Sequence, residues 1–130
     1  MIFTGKALII DDEPHVRKYI GLILRSIGAT SIIEASDGAE GFVVYQKERP
    51  DLVLLDVNMP VQNGIETLKQ IRSANADALV VMLTSLTLRQ TVEEAVEGGA
   101  LHYIRKDMAR EELVALLKDL LTEDSEPKTS

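Results

Sequence analysis

Three carboxylates stand directly after two short apolar runs of the chain. Asp11 and Asp12 end the first run, and Asp56 ends a later one. If the two runs are neighbouring strands, the carboxylates crowd together and repel one another. A hard divalent cation with oxygen ligands relieves that repulsion, and Mg²⁺ is commonly held by one or two carboxylates together with phosphate oxygens. The pattern therefore predicts a Mg²⁺ site, beside which a carboxylate nucleophile could form an aspartyl-phosphate.

Two further apolar runs also end in polar residues. Thr84 and Ser85 follow the run 78–83, and Lys106 stands just after the run 101–104. A lysine can offset negative charge that develops on a phosphoryl group, and a threonine hydroxyl can donate a hydrogen bond to a phosphoryl oxygen. Taken singly, these residues have ordinary explanations, since aspartates cap helices and turns and a lysine at a strand end is usually solvated. The chemical prediction depends on all of them meeting at one place.

The segments that would bring these residues together alternate between strand and helix. Predicted strands, several of them nearly continuous apolar runs as in a sheet covered on both faces, are 6–10, 30–34, 52–55, 78–83 and 101–104. Apolar residues at helical spacing follow each strand, and the fourth of these predicted helices covers about 88–97. The alternation predicts an α/β fold with a parallel sheet and helices on both faces. Ligands of such sheets bind at the carboxyl ends of the strands, where all the polar residues above would lie.

Composition and charge exclude several classes of protein. The 130 residues fit one domain, and a formal net charge of −7 argues against a direct nucleic-acid partner. The absence of cysteine excludes disulfides, thiolate catalysis and cysteine-ligated metals. Without a signal-like N-terminus or an apolar run of about 20 residues, we expect a cytoplasmic protein and no membrane partner. One domain over 1–122 and a polar, frayed tail over 123–130 are expected.

Motifs along nearly the whole chain resemble those of the response-regulator receiver family of two-component signalling. They are IIDDEP at 9–14, DVNMP at 56–60, NG at 63–64, LTS at 83–85, GA at 99–100 and YIRK at 103–106. The resemblance implies a flavodoxin-like, five-stranded parallel sheet of order 2-1-3-4-5. It also implies a Mg²⁺-dependent phosphoacceptor that is served by a sensor histidine kinase or a histidine phosphotransfer protein.

The acidic motifs imply roles for four residues of this chain. Asp56 resembles the phosphoacceptor, which also contacts the metal. Asp12 resembles the direct metal ligand, and Asp11 resembles the acidic neighbour that acts mainly through water and position. Asn58, two residues after the acceptor, is expected to offer its backbone carbonyl to Mg²⁺.

The later motifs imply residues that contact the phosphoryl group and report its presence. Thr84 and Lys106 resemble the hydroxyl and the lysine that contact it, and Ser85 resembles the small residue that leaves room beside the acceptor. Tyr103 resembles the aromatic that turns inward when Thr84 moves, although an aromatic on an edge strand can also simply pack. Leu86 is expected at the pocket mouth, where it would obstruct an attacking water and slow dephosphorylation.

The expected output is a change in binding to an unknown downstream protein. It would pass through the surface formed by the fourth predicted helix, the fifth strand and the fifth helix. Because 130 residues leave no room for an effector domain, output by partner binding is expected unless the chain is an excised part of a longer protein. We expect a signalling protein rather than an enzyme, present as a monomer or a weak phosphorylation-dependent dimer.

Three other interpretations share part of the pattern. A flavin-binding domain of flavodoxin type needs a hydroxyl- and glycine-rich phosphate loop after the first strand, where this chain has Asp11-Asp12-Glu13. A phosphatase with an aspartate nucleophile usually carries Asp-x-Asp at that point, which the chain does not supply. A degenerate receiver would act as a phosphorylation-independent protein-interaction module, and Mg²⁺-dependent labelling distinguishes it from an active one.

Overall fold

The computed structural model describes residues 5–57, 64–84, 102–106 and 108–125. Its strands are β1 (Lys6–Ile10), β2 (Ser31–Ala35), β3 (Leu52–Asp56), β4 (Val80–Thr84) and β5 (His102–Arg105). The described helices are α1 (Pro14–Ser26), α2 (Gly38–Glu48), α3 (Gly64–Ala74) and the C-terminal helix (Arg110–Ser125). All five strands are parallel, in the order β2-β1-β3-β4-β5. The α/β class and the strand order implied by the resemblance are therefore confirmed.

Alternating side chains of the sheet build a core on each of its two faces. Ala7 and Ile9 of β1 pack with apolar residues of α1 and the C-terminal helix. Leu8 and Ile10 point the other way and pack with α2 and α3. Successive side chains of a strand face opposite sides, so a strand covered on both faces must be apolar throughout. Every residue of β3 is accordingly buried, up to and including Asp56.

Some element boundaries differ from those predicted. β2 and β4 begin at Ser31 and Val80, later than the predicted positions 30 and 78, although the Leu79 carbonyl still accepts a hydrogen bond from Val53 N–H at 2.9 Å. The C-terminal helix continues to Ser125, three residues into the segment expected to fray. The fourth predicted helix, 88–97, lies outside the described residues. In the described part of the chain, no helix has both the length and the apolar character needed to cross a bilayer.

The loops that lead away from the carboxyl ends of β1 and β2 begin with local hydrogen bonds. Pro14 opens α1 directly after the acidic segment. At this first-turn position a backbone N–H would have no acceptor within the helix, so the N–H that proline lacks is not missed. At the start of α2, Asp37 Oδ1 accepts from Glu40 N–H at 2.8 Å, while Glu40 Oε1 accepts from Ser36 N–H at 2.6 Å. These bonds fix where the chain leaves the sheet, and so they set the rim of the site described next.

Candidate functional site

Three aspartates meet at the carboxyl ends of β1 and β3. Asp11 and Asp12 follow β1, and Asp56 is the last residue of β3. Each offers a carboxylate oxygen, and these oxygens all lie within 4.8 Å of one another. Asp11 and Asp56 are buried, with 0% and 2% of their surface exposed, whereas Asp12 is exposed. The site therefore has two carboxylates in its floor and one at its rim.

Lys106 reaches these carboxylates from the end of the edge strand β5. It follows β5, and its Nζ passes the end of β4 to lie 2.8 Å from Asp11 Oδ2 and 3.1 Å from Asp56 Oδ2. The same Nζ donates a hydrogen bond to Glu13 Oε1 at 3.1 Å. Burial by itself would lower the pKa of Lys106, but the Asp11 and Asp56 carboxylates outweigh it and raise the pKa above its usual value. Lys106 is therefore a permanent cation.

Among the described residues, the carboxylates at this edge outnumber the ammonium group they surround. Lys106 Nζ pairs with the carboxylates of Asp11, Glu13 and Asp56, and the Asp12 carboxylate lies beside those of Asp11 and Asp56. The buried Oδ2 atoms of Asp11 and Asp56 meet Lys106 as ion pairs, without the alignment of a hydrogen bond within the described residues. Buried carboxylate oxygens usually have well-aligned donors, and oxygens that do not are suited to a cation. The donor set, all carboxylate oxygen with one open side, fits Mg²⁺.

Asp11 is held in place through its backbone as well as its side chain. Its Oδ1 accepts from Glu13 N–H at 2.8 Å, and its own N–H donates to the Ala35 carbonyl at 3.1 Å. Its carbonyl accepts from Arg17 Nη1 at 2.6 Å. The fully buried carboxylate of the site is thus held through both its side chain and its backbone, as expected of a group that must stay in a fixed position.

Asp56 is fixed from the other side by the start of α3. Gly64 N–H donates to the Val57 carbonyl at 2.8 Å, so the start of α3 lies against the residue that follows Asp56. A Cβ at position 64 would overlap the backbone oxygen of Asp56. Glycine is therefore required here for close approach, which is a structural reason for the glycine of the NG motif.

The structure describes only the backbones of Thr84 and Tyr103. Thr84 ends β4, next to β3, where Leu83 pairs with Asp56. Tyr103 lies on the edge strand β5 and pairs with Met82 of β4. Thr84 is thus beside the acidic edge, as the strand-end argument requires. Asn58, Ser85 and Leu86 lie outside the described residues.

Glu13, Arg17 and Glu34 also belong to the site, although none of the three was predicted to have a role there. Glu13 had a signal, because it stands next to the acidic pair inside a motif. Arg17 lies one helical turn later, a spacing that places it over the same end of α1. No local sequence pattern marked Glu34, because it lies on β2 and meets Arg17 of α1 only once β2 has paired with β1.

A family comparison identifies the class of protein that carries this arrangement. The sequence model of the family described as “Response regulator receiver domain” matches residues 7–118, from the second residue of β1 into the C-terminal helix. The chain belongs to the response regulator receiver family. In this receiver, the matched region contains both floor aspartates, the rim aspartate and Lys106.

Individual relatives agree with the family assignment. The receiver is similar to “Chemotaxis protein CheY” of Halobacterium salinarum, with 32% identity over 117 residues that cover 90% of this chain and 97% of the relative. It is 37% identical to “Nitrate/nitrite response regulator protein NarL” of Escherichia coli K12 over 111 residues, which cover 85% of this chain and 51% of the relative. The chain therefore spans nearly all of some curated relatives and about half of others.

A solved structure supports the same fold. In the CheX-CheY-BeF3-Mg complex from Borrelia burgdorferi, the matching chain superposes with a TM-score of 0.83 at 30% identity. The match covers 88% of this receiver and 87% of that chain. The flavodoxin-like arrangement of the sheet is therefore shared with chemotaxis receivers.

Proposed function

We propose that this receiver accepts a phosphoryl group on Asp56 from a histidine kinase or a histidine phosphotransfer protein. Mg²⁺ would be held by Asp11, Asp12 and Asp56, with the backbone carbonyl of Asn58 as a further ligand. One observation carries the proposal. Asp56 is a buried carboxylate that has two more carboxylates within metal-sharing distance and a lysine ammonium 3.1 Å away.

The residues of the site fit the chemistry of phosphoryl transfer to a carboxylate. An oxygen of Asp56 attacks phosphorus, a P–O bond forms, and the P–N bond to the donor histidine breaks, with the electron pair leaving on the imidazole nitrogen. Bound Mg²⁺ would supply positive charge to the phosphoryl oxygens. Lys106 already contacts Asp56 and, as a permanent cation, can follow the charge onto the phosphoryl group. Burial strengthens these interactions because water does not screen them.

Labelling with a small acyl-phosphate donor tests the acceptor. With acetyl phosphate and Mg²⁺, intact mass should increase by one phosphoryl group, and the increase should disappear in Asp56→Asn or with a chelator. Asp51→Asn is a matched control, because Asp51 lies at the opposite end of the sheet, where its carboxylate accepts from Lys6 N–H. Undiminished labelling of Asp56→Asn would refute the assignment. Absence of labelling in the parent would favour the phosphorylation-independent interaction module.

The proposed output route runs through Thr84 and Tyr103. Phosphorylation adds negative charge and acceptor oxygens at the end of β3, and Thr84 would move toward them. Tyr103 would fill the space, altering the surface of the fourth predicted helix, β5 and the C-terminal helix, to which a downstream protein binds. Thr84→Ala should be phosphorylated normally, yet hydrogen exchange in β5 should no longer respond to phosphorylation. A normal response in this variant would exclude the route.

Leu86 is proposed to control the lifetime of the phosphoryl group. An apolar side chain at the pocket mouth offers no hydrogen bond to a water and obstructs its in-line approach. Leu86→Glu should therefore shorten the lifetime by about tenfold, measured as decay after donor removal at constant Mg²⁺. Equal or slower decay would show that lifetime is set elsewhere.

A further inference from the structure

The guanidinium of Arg17 connects three elements beneath the acidic pair. Its Nη1 donates to the backbone carbonyl of Asp11 at 2.6 Å, and its Nε donates to Glu34 Oε1 at 2.7 Å. Arg17 belongs to α1, Asp11 follows β1, and Glu34 lies on β2. The Arg17 side chain is only 15% exposed, so these are partly desolvated, charge-assisted bonds.

The carbonyl that Arg17 binds controls the orientation of Asp12. It belongs to the peptide unit between Asp11 and Asp12, so fixing it fixes the plane of that peptide and the positions of the Asp12 N and Cα atoms. The Asp12 carboxylate is exposed, and no hydrogen bond or ion pair holds it within the described part of the chain. The backbone is therefore the part of Asp12 that the surrounding structure positions, and Arg17 binds the peptide that leads to it.

Glu34 determines how Arg17 is aimed. Nε and Nη1 belong to one rigid planar group, so a bond from Nε to Glu34 directs Nη1 toward the Asp11 carbonyl. The hydrogen bond from Arg17 is the largest effect on Glu34, and it lowers the pKa of Glu34 against the opposing effect of burial. Glu34 thus stays ionised at neutral pH and keeps the arginine in place.

We propose that Arg17, held by Glu34, is a positioning residue for the metal site: it fixes the Asp11–Asp12 peptide and thereby presents the Asp12 carboxylate to Mg²⁺. This inference rests on the proposed function, because it assumes that Asp12 is a metal ligand. Arg17 itself touches neither the metal nor the reacting atoms.

Charge and positioning make opposite predictions, which allows a sharp test. Removing a positive charge near an acidic site should by itself leave Mg²⁺ binding unchanged or strengthen it. Lys18 supplies the matched control, since its Nζ lies 3.3 Å from Glu34 Oε2 and its side chain is 75% exposed. Arg17→Met and Lys18→Met remove the same charge beside the same glutamate. Of the two parent residues, only Arg17 bonds to the Asp11 carbonyl.

The experiment is a Mg²⁺ titration of the metal-free protein, followed by NMR, with thermal unfolding measured on each variant. Arg17→Met should bind Mg²⁺ about tenfold more weakly, as is usual when a residue that supports a metal ligand is lost. Lys18→Met should bind as tightly as the parent or slightly more tightly. Arg17→Lys retains a donor for the carbonyl and should recover part of the loss. The NMR shift of the Asp11 carbonyl carbon should change in Arg17→Met but not in Lys18→Met.

Each outcome decides between specific claims. Equal Mg²⁺ affinity of Arg17→Met and Lys18→Met would overturn the positioning role. If Arg17→Met unfolds, Glu34→Met replaces it, because it removes the acceptor that directs Arg17, and unchanged Mg²⁺ affinity in that variant overturns the role equally. Asp12→Asn tests the proposed metal site independently of the role of Arg17. If Asp12→Asn binds Mg²⁺ as well as the parent does, the proposed metal site is wrong, whatever the arginine variants show.

Discussion

The two ends of the interior strand β1 carry the same kinds of charged group in different surroundings. At its start, Lys6 Nζ lies 3.2 Å from Glu48 Oε1, and both side chains are 36% exposed. Beyond its carboxyl end, Lys106 meets Asp11 and Asp56, and exposure falls to 13% for the lysine side chain and to 0% and 2% for the aspartates. We call these groups the Lys6 cluster and the Lys106 cluster.

The difference in burial decides what each cluster can do. Water screens the Lys6 cluster, so its ion pair contributes little to the free energy of unfolding. In the Lys106 cluster, burial raises the free-energy cost of any charge that lacks an opposite charge beside it. The described carboxylates of this cluster outnumber its ammonium group. A cation or a phosphoryl group can alter that imbalance strongly. We therefore expect the charge state of a ligand to affect the buried cluster far more than the exposed one.

Removing each lysine should give the largest contrast between the two clusters. Lys106→Met leaves two buried carboxylates without their cation and should lower the free energy of unfolding by about 3 kcal/mol in metal-free buffer. Lys6→Met should lower it by less than about 1 kcal/mol. Denaturant unfolding measures both, and Mg²⁺ should restore part of the loss in Lys106→Met only. Equal destabilisation would show that burial does not distinguish the clusters.

Removing a carboxylate should change the free energy of unfolding in opposite directions at the two ends of β1. Asp56→Asn relieves repulsion among buried like charges and should raise the free energy of unfolding by about 1–2 kcal/mol without metal. Asp51→Asn weakens the acceptor of Lys6 N–H and should lower it by up to about 1 kcal/mol. Thermal and denaturant unfolding in the presence of a chelator measure the difference. A less stable Asp56→Asn would mean that the Lys106 ion pair outweighs the repulsion.

Replacing one glutamate of each cluster by glutamine should distinguish the two clusters by the rate of phosphorylation rather than by stability. Glu13→Gln removes a competing acceptor of Lys106 and one negative charge that an anionic donor must approach. Phosphorylation by acetyl phosphate should become about threefold faster. Glu48→Gln, the equivalent change at the Lys6 cluster, should leave the rate unchanged. Slower labelling of Glu13→Gln would instead indicate that Glu13 holds Lys106 in its productive position.

The smallest expected effect is a pH dependence at the rim of the Lys106 cluster. Because Arg17 lowers the pKa of Glu34, the ionised form stabilises the folded chain above the ordinary glutamate pKa of about 4.3. That contribution is lost as the pH falls through the lower, folded value. The stability difference between the parent and Glu34→Gln should therefore be constant near neutral pH and shrink below about pH 4. A difference that grows on acidification would contradict the sign of the shift.

The class of fold and the groups available for chemistry were predictable from the amino-acid sequence alone. Apolar runs long enough for strands alternate with helical spacing, and parallel strands require such crossovers, so the α/β architecture and the strand-end placement of Asp11, Asp56 and Lys106 were predictable. Boundaries at β2 and β4 were less predictable, because strand ends depend on which neighbour supplies hydrogen bonds. For the same reason, strand order came from a family resemblance rather than from periodicity.

How those groups meet depends on the tertiary structure. β1 lies between β2 and β3, which brings Asp11 to Asp56 across one strand spacing, and α1 packs where Arg17 reaches Glu34 of β2. Lys106 faces both aspartates because β5 ends beyond β4, a distance along the chain that no local pattern encodes. Burial is likewise a property of the assembled layers. The physical reason is that charge interactions depend on distance and on exclusion of water, and both arise only when distant segments pack together.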